Sequence, residues 1–191
     1  MRILFIFSTF SCKYSKKSIS FVSLLLETKK YAMKTLKPDI SFHLYDYEEL
    51  SEEDRQLIDA AKKATYQSYA PYSHFMVGAA AKLANGEIVC GSNQENAAYP
   101  SGTCAERTTL FYANSTYPDV VVETIAIAAR HNNDEFTPHP TAPCGACRQV
   151  MLETQWRNKK PLRTLLYGEE GVLEVTCVED LLPLCFNASC M

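Results

Sequence analysis

Residues 120–153 read VVVETIAIAARHNNDEFTPHPTAPCGACRQVMLE, and their order decides the fold class. Val120–Ala129 is rich in Val, Ile and Ala, the composition of a buried strand. Residues 131–141 are polar and contain prolines, so they form a loop. Pro143 opens a helix that runs through Glu153, because a first helical turn does not need the N–H that proline lacks. Strand, loop and helix in that order belong to a layered α/β domain, in which helices cover a sheet.

The flanking sequence continues the alternation. Ser51-Glu52-Glu53-Asp54 has the form of a capping box, and Leu57, Ile58, Ala61, Ala64 and Thr65 follow at helical spacing. They predict a helix from about Glu52 to Tyr69, ended by Pro71. Val77–Leu83 and Ile88–Gly91 flank Asn85-Gly86, a pair suited to a type I′ hairpin turn. Thr103–Ala113 reads as a helix, and Leu162–Tyr167 and Val172–Thr176 as two strands around Gly168–Gly171. Thr176-Cys177-Val178-Glu179 caps a last short helix before Pro183. The expected order is αββαβαββα with a mixed sheet of five strands.

A chain of 191 residues, 47% hydrophobic and 21% charged, suits one domain or two small ones. It excludes a disordered tail, a collagen and a simple coiled coil. Residues 1–32 hold six Lys or Arg and one acid, a charge of +5, whereas Met33–Met191 hold 13 basic and 21 acidic side chains, −8. An acidic body opposes nucleic-acid binding. Ile3–Phe7 and Phe21–Leu26 are too short to span a bilayer, which takes about 20 apolar residues. Neither has the pattern of a secretory signal. Residues 1–32 are therefore expected to be an extension outside the mature protein, with translation starting at Met33; a degenerate targeting peptide is the alternative.

Eight cysteines are too few for a disulfide scaffold of this size. Cys144-Gly145-Ala146-Cys147 is a C-x-x-C pair at an expected helix start, where the macrodipole favours thiolate. Cys104 starts another expected helix. If both helices pack on one sheet edge, the three sulfurs can surround one zinc and leave a fourth position open, as in catalytic sites. Spacing alone leaves two other readings: a redox pair, or half of a structural zinc site completed by His74, His131 or His139. Glu106 likewise has two readings. It closes a T-x-x-E capping box from Thr103, or it flanks the metal as a proton carrier. Cys12, Cys90, Cys177, Cys185 and Cys190 have no such setting and read as ordinary reduced thiols.

Cys104-Ala105-Glu106-Arg107 followed by Pro143-Cys144-Gly145-Ala146-Cys147-Arg148-Gln149 resembles the cytidine deaminase signature. Tyr69–Phe75, Val77–Ala80, Asn93–Pro100 and Leu181-Leu182-Pro183 extend the likeness over about residues 50–186. Three cysteines without histidine resemble the small, homotetrameric class that acts on free nucleosides. The resemblance implies a three-layer α/β/α domain over 33–191 and deamination of cytidine and deoxycytidine in pyrimidine salvage, in the cytoplasm. It implies one zinc per subunit on Cys104, Cys144 and Cys147. Glu106 would carry protons between the attacking water, the pyrimidine N3 and the leaving ammonia. Asn93 and Glu95 would bind the ribose, Phe75 would pack on the base, and the Ala105 backbone would hold its polar edge. Arg107 would hydrogen-bond the cysteine sulfurs, and Phe186 is the candidate to reach a neighbouring subunit's site. No nucleic-acid or membrane partner is expected. Other readings are a zinc deaminase of a nucleotide, an aminopurine or a nucleoside antibiotic, and a zinc-stabilised RNA-binding module. Met76 and Ala98 depart from the family pattern, which usually has proline and often cysteine there, and the 131–141 loop is somewhat long.

Overall fold

Ser51 ends the segment before the first helix and caps it, its hydroxyl accepting from the Asp54 N–H at 3.1 Å. This helix, α1 (Glu52–Ala64), buries Leu57, Ile58, Ala61 and Ala64 and leaves its acidic first turn outside. The fold comes from a computed structural model that describes residues 35 and 37–191. The expectations for residues 1–32, the Met33 start and Cys12 lie outside the described residues. After α1 come β2 (Phe75–Leu83), β3 (Ile88–Ser92), α2 (Ala105–Thr116), β4 (Val122–His131), α3 (Gly145–Asn158), β5 (Arg163–Gly168) and β6 (Gly171–Val175); β1 (His43–Tyr45) precedes it. No helix among the described residues is long and apolar enough to cross a membrane.

The sheet order is β1-β6-β5-β4-β2-β3. Only β4 and β5 run parallel, with α3 as their crossover; every other pair is antiparallel. Side-chain alternation along β4 divides two cores. Ile125 and Ile127 join Ala79, Ala81, Leu110 and Met151 under α2 and α3, whereas Ala126 and Ala128 join Ala80, Leu57 and Ile58 under α1. A strand buried on both faces reads as a continuous apolar run, as Ile125–Ala129 does. Each fully buried Leu or Ile contributes about 2 kcal/mol. The α1 face is lined with alanines, so the helix sits close: a Cβ on Gly78 would lie 2.1 Å from the Ala61 carbonyl oxygen.

The three layers are those expected, and the sheet has six strands rather than five. The additional β1 is only three residues long and pairs with β6. Glu174 on β6 holds it from the side: Tyr45 Oη donates to Glu174 at 3.2 Å, and His43 Nδ1 lies at the same distance. Such a short strand leaves almost no period in the sequence. α1 is also shorter than expected, ending at Ala64 and passing into a 3₁₀ turn, Thr65–Gln67. The last helix is a single 3₁₀ turn, Val178–Leu181.

The hairpin forms without a type I′ turn. Such a turn needs positive φ at both central residues, and only Gly86 has it (φ 88°). Gly86 N–H donates to the Leu83 oxygen at 2.9 Å, closing a four-residue turn whose last position is the left-handed glycine.

Candidate metal centre

Helices α2 and α3 lie on the same sheet face and start at the same end of the domain. Cys104 is the N-cap of α2 and Cys144 the N-cap of α3, both in extended backbone, and neither side chain bonds its own helix. The two sulfurs are thereby free to face each other, 3.9 Å apart, and Cys147 Sγ lies 3.5 Å from Cys144 Sγ. All three sulfurs fall within 4.8 Å of one another. Zinc–sulfur bonds of about 2.3 Å place tetrahedral ligands about 3.8 Å apart. The observed spacings straddle that edge length, so the three thiols fit one zinc and leave its fourth position open. No histidine joins the group among the described residues.

The T-x-x-E capping box does not form. The helix begins one residue later than that pattern needs, and Glu106 is its second residue, buried at 4% exposure. Burial is the main force raising its pKa, with the neighbouring Cys104 charge adding to it. The thiols divide: the hydrogen bond with Cys147, aided by Arg107, lowers Cys104 to about 5, while the same bond and burial raise Cys147. Three crowded thiols cannot all ionise without a cation, and binding one releases their protons. Arg107 Nη2 donates to Cys104 Sγ at 3.8 Å and to the Gly102 oxygen at 3.4 Å.

Beside the centre opens a cavity of about 490 Å³. Of the expected site residues, Asn93, Glu95, Cys104 and Arg107 line it. Glu95 Oε2 accepts the Tyr72 and Ser73 N–H groups at 2.9 and 3.3 Å, and hydrogen bonds from Ser73 and Tyr72 lower its pKa. The Asn93 amide accepts from Val77 N–H at 2.8 Å and donates to the Phe75 oxygen at 2.9 Å. That holds the residue against β2 and leaves one N–H and one lone pair for a ligand.

Phe75, Ala105, Glu106, Cys144, Cys147 and Phe186 are not among the lining residues of that cavity. The Phe75 ring packs on His131 with centroids 5.4 Å apart. Ala105 is buried in the core under α2, and Phe186 is exposed on the C-terminal tail. Tyr72 and Tyr99 also line the cavity as an edge-to-face pair 5.9 Å apart, and sequence reading gave neither a role. Their segments, 69–75 and 93–100, were legible as motifs, but no spacing rule pairs aromatics across two loops.

Residues 51–160 match the family model described as the cytidine and deoxycytidylate deaminase zinc-binding region. A cytidine deaminase of Halalkalibacterium halodurans is 42% identical over 139 residues, 72% of this chain and 98% of that protein. One from Sporosarcina psychrophila is 42% identical over 132 residues, 69% of this chain and 90% of the relative. Among solved structures, cytidine deaminase from Burkholderia pseudomallei matches at 40% identity and a TM-score of 0.58, covering 72% of this chain and all of that one.

Proposed function

The chain belongs to the cytidine and deoxycytidylate deaminase family, and from that premise we propose that it is a zinc-dependent hydrolase converting cytidine and deoxycytidine to uridine and deoxyuridine with release of ammonia. The observation that carries this reading is the convergence of three thiols and one buried carboxylate at two helix starts beside a cavity. Zinc, when bound, supplies Lewis acidity that makes a water at its fourth position easier to deprotonate.

The protein's own groups do the rest. Cys104, Cys144 and Cys147 hold the ion through their sulfurs. The Glu106 carboxylate takes one proton from the attacking water and gives it to pyrimidine N3, then takes the proton of the new hydroxyl on C4 and gives it to the amine nitrogen, which leaves as ammonia. The Ala105 backbone holds the polar edge of the base and Phe75 packs on its face. Asn93 and Glu95 bind the ribose hydroxyls; a site built with such polar groups rejects ligands that leave them unpaired. Three thiolates on a divalent ion carry a net charge of −1, which opposes water ionisation. Arg107, at hydrogen-bond range of Cys104, offsets part of that charge.

The working assembly in this reading is a homotetramer in which Phe186 reaches a neighbour's site, and its setting is the cytoplasm, where thiolate ligands stay reduced. Residues 33–191 form the catalytic domain and 1–32 an extension. The substrate is a nucleoside rather than a nucleotide: Glu95 makes the cavity rim acidic, and Arg107, its lining cation, already faces Cys104. An absorbance assay of zinc-loaded protein with cytidine, deoxycytidine and CMP tests this. Turnover of both nucleosides and not of CMP is expected. Glu106→Gln should keep zinc and lose activity by about 10²–10⁴-fold. A fully active Glu106→Gln enzyme, or zinc-loaded wild type that leaves both nucleosides intact, overturns the reading.

A further inference from the structure

The three sulfurs are not equally anchored. Cys147 is fully buried, fixed by the core around it, and Cys104 receives the Arg107 guanidinium. Cys144 instead lies on an exposed turn, with exposed Gly145 and Ala146 after it and exposed Ala142 before it. The buried member of that turn is Pro143. A buried carbonyl needs a donor, and Arg148 supplies one: its Nε donates to the Pro143 oxygen at 2.9 Å. Arg148 is the fourth residue of α3, and helical side chains lean towards the N-terminus, so the guanidinium reaches back over the turn that carries Cys144.

The same guanidinium has a second target. Arg148 Nη1 donates to the Leu181 oxygen at 3.1 Å, in the 3₁₀ turn Val178–Leu181. The next residue continues the contact, Gln149 Nε2 donating to the Phe186 oxygen at 2.8 Å. Leu181 is buried in the core under α2 and α3. One planar fork thus bridges the peptide that aims Cys144 and a fixed point of the C-terminal segment, a geometry that arginine provides and a single ammonium does not.

We propose that Arg148 is the positioning residue for the ligand Cys144, holding the Pro143–Cys144 peptide by bracing it against the Leu181 carbonyl. This rests on the three-cysteine zinc reading and adds a role to a residue outside the ligand set. Partners that orient a metal's ligands typically change metal affinity by about 10–100-fold when lost. A side chain that merely packs the tail would change the stability of the whole domain and leave zinc release alone.

Zinc-loaded wild type, Arg148→Met and Arg148→Lys are mixed with excess chromogenic chelator, and the rate of zinc release is followed. Thermal unfolding of the zinc-free proteins is measured in parallel. Arg148→Met is expected to release zinc at least about tenfold faster, and Arg148→Lys, which can serve one carbonyl at a time, to fall between it and wild type. If the methionine variant does not fold, the lysine variant alone decides, with release several-fold faster expected. Wild-type release rates in the folded variants overturn the role of Arg148, whatever happens to their unfolding temperature. Wild-type protein that takes up no zinc overturns the underlying metal reading instead.

Discussion

The chemistry of this protein rests on residues at helix starts whose side chains do not serve the helix. A cysteine N-cap gives up the usual capping hydrogen bond, worth about 1 kcal/mol, at both Cys104 and Cys144. The return is a pair of sulfurs facing one point, each at a positive helix end. The neighbouring Arg107 is only partly provided for: its Nη2 reaches Cys104, while its buried Nε has no partner. A buried unpaired donor costs about 1–3 kcal/mol, a cost expected where a residue is kept for its charge. Arg107→Gln removes that charge beside the most acidic thiol. Zinc content measured after dialysis against a mild chelator should fall, and kcat with it, while the unfolding temperature of the zinc-free protein should change little or rise.

The elements were unevenly legible, and the reasons are physical. β4 was plain because burial on both faces leaves an unbroken apolar run at Ile125–Ala129, and α1 because one stripe repeats beside a capping serine. The three thiols were legible as a group because each sits at a helix start. β1 was not, because three residues carry no period and are held from elsewhere in the chain. The turn after β2 was misassigned because Asn85-Gly86 is compatible with two turns, and the structure uses only the glycine's left-handed freedom. The β1 edge depends on an ion cluster: Arg163 on β5 pairs with Asp54 on α1 and with Glu174, which also takes Tyr45 and His43. Burial alone would raise both carboxyls, but the Arg163 hydrogen bonds and charge outweigh it, and both pKa values are lowered. Depressed carboxyl pKa values stabilise the fold above the ordinary carboxylate range, about pH 4, and that contribution is lost as pH falls through the lowered values. Arg163→Leu strands two carboxylates and should cost about 2–4 kcal/mol at neutral pH. The gap between variant and wild type, measured by urea unfolding, should narrow as pH falls through that range, because protonation relieves the unpaired charges. A gap that stays constant with pH would assign the loss to packing.

At the scale of the molecule, Pro38–Met191 forms one compact unit that holds all three thiols and the cavity. A chain begun at Met33 is therefore expected to bind zinc in the same ratio as the full chain and to unfold at the same temperature, which metal analysis and calorimetry would check. One face of that unit carries several exposed apolar side chains. Phe111 and Tyr112 on α2 and Trp156 on α3 are exposed, and the groove between the two helices, about 340 Å³, has Phe111 and Val150 among a lining that also includes Asn114, Glu153 and Arg157. Leu184 and Phe186 add further apolar surface on the tail, with Leu184 at 95% exposure. Isolated apolar residues are ordinary on a surface, but several on the paired helices that carry the ligands mark an interaction face. The proposed homotetramer covers such a face with its own copies and places Phe186 beside a neighbour's cavity. Phe111→Glu puts a charge into that contact without touching the metal or its ligands. Sedimentation should then report a smaller species than wild type at the same concentration. If Phe186 comes from a neighbour, as in the proposed assembly, KM for cytidine should rise in the dissociated variant while each chain keeps its zinc. Phe186→Ala should raise KM without dissociating the assembly, since it removes the reaching ring and leaves the helix face intact. If Phe111→Glu sediments as wild type does, the α2–α3 groove is not the contact; if it dissociates with KM unchanged, the site is complete within one chain and Phe186 plays no part in it.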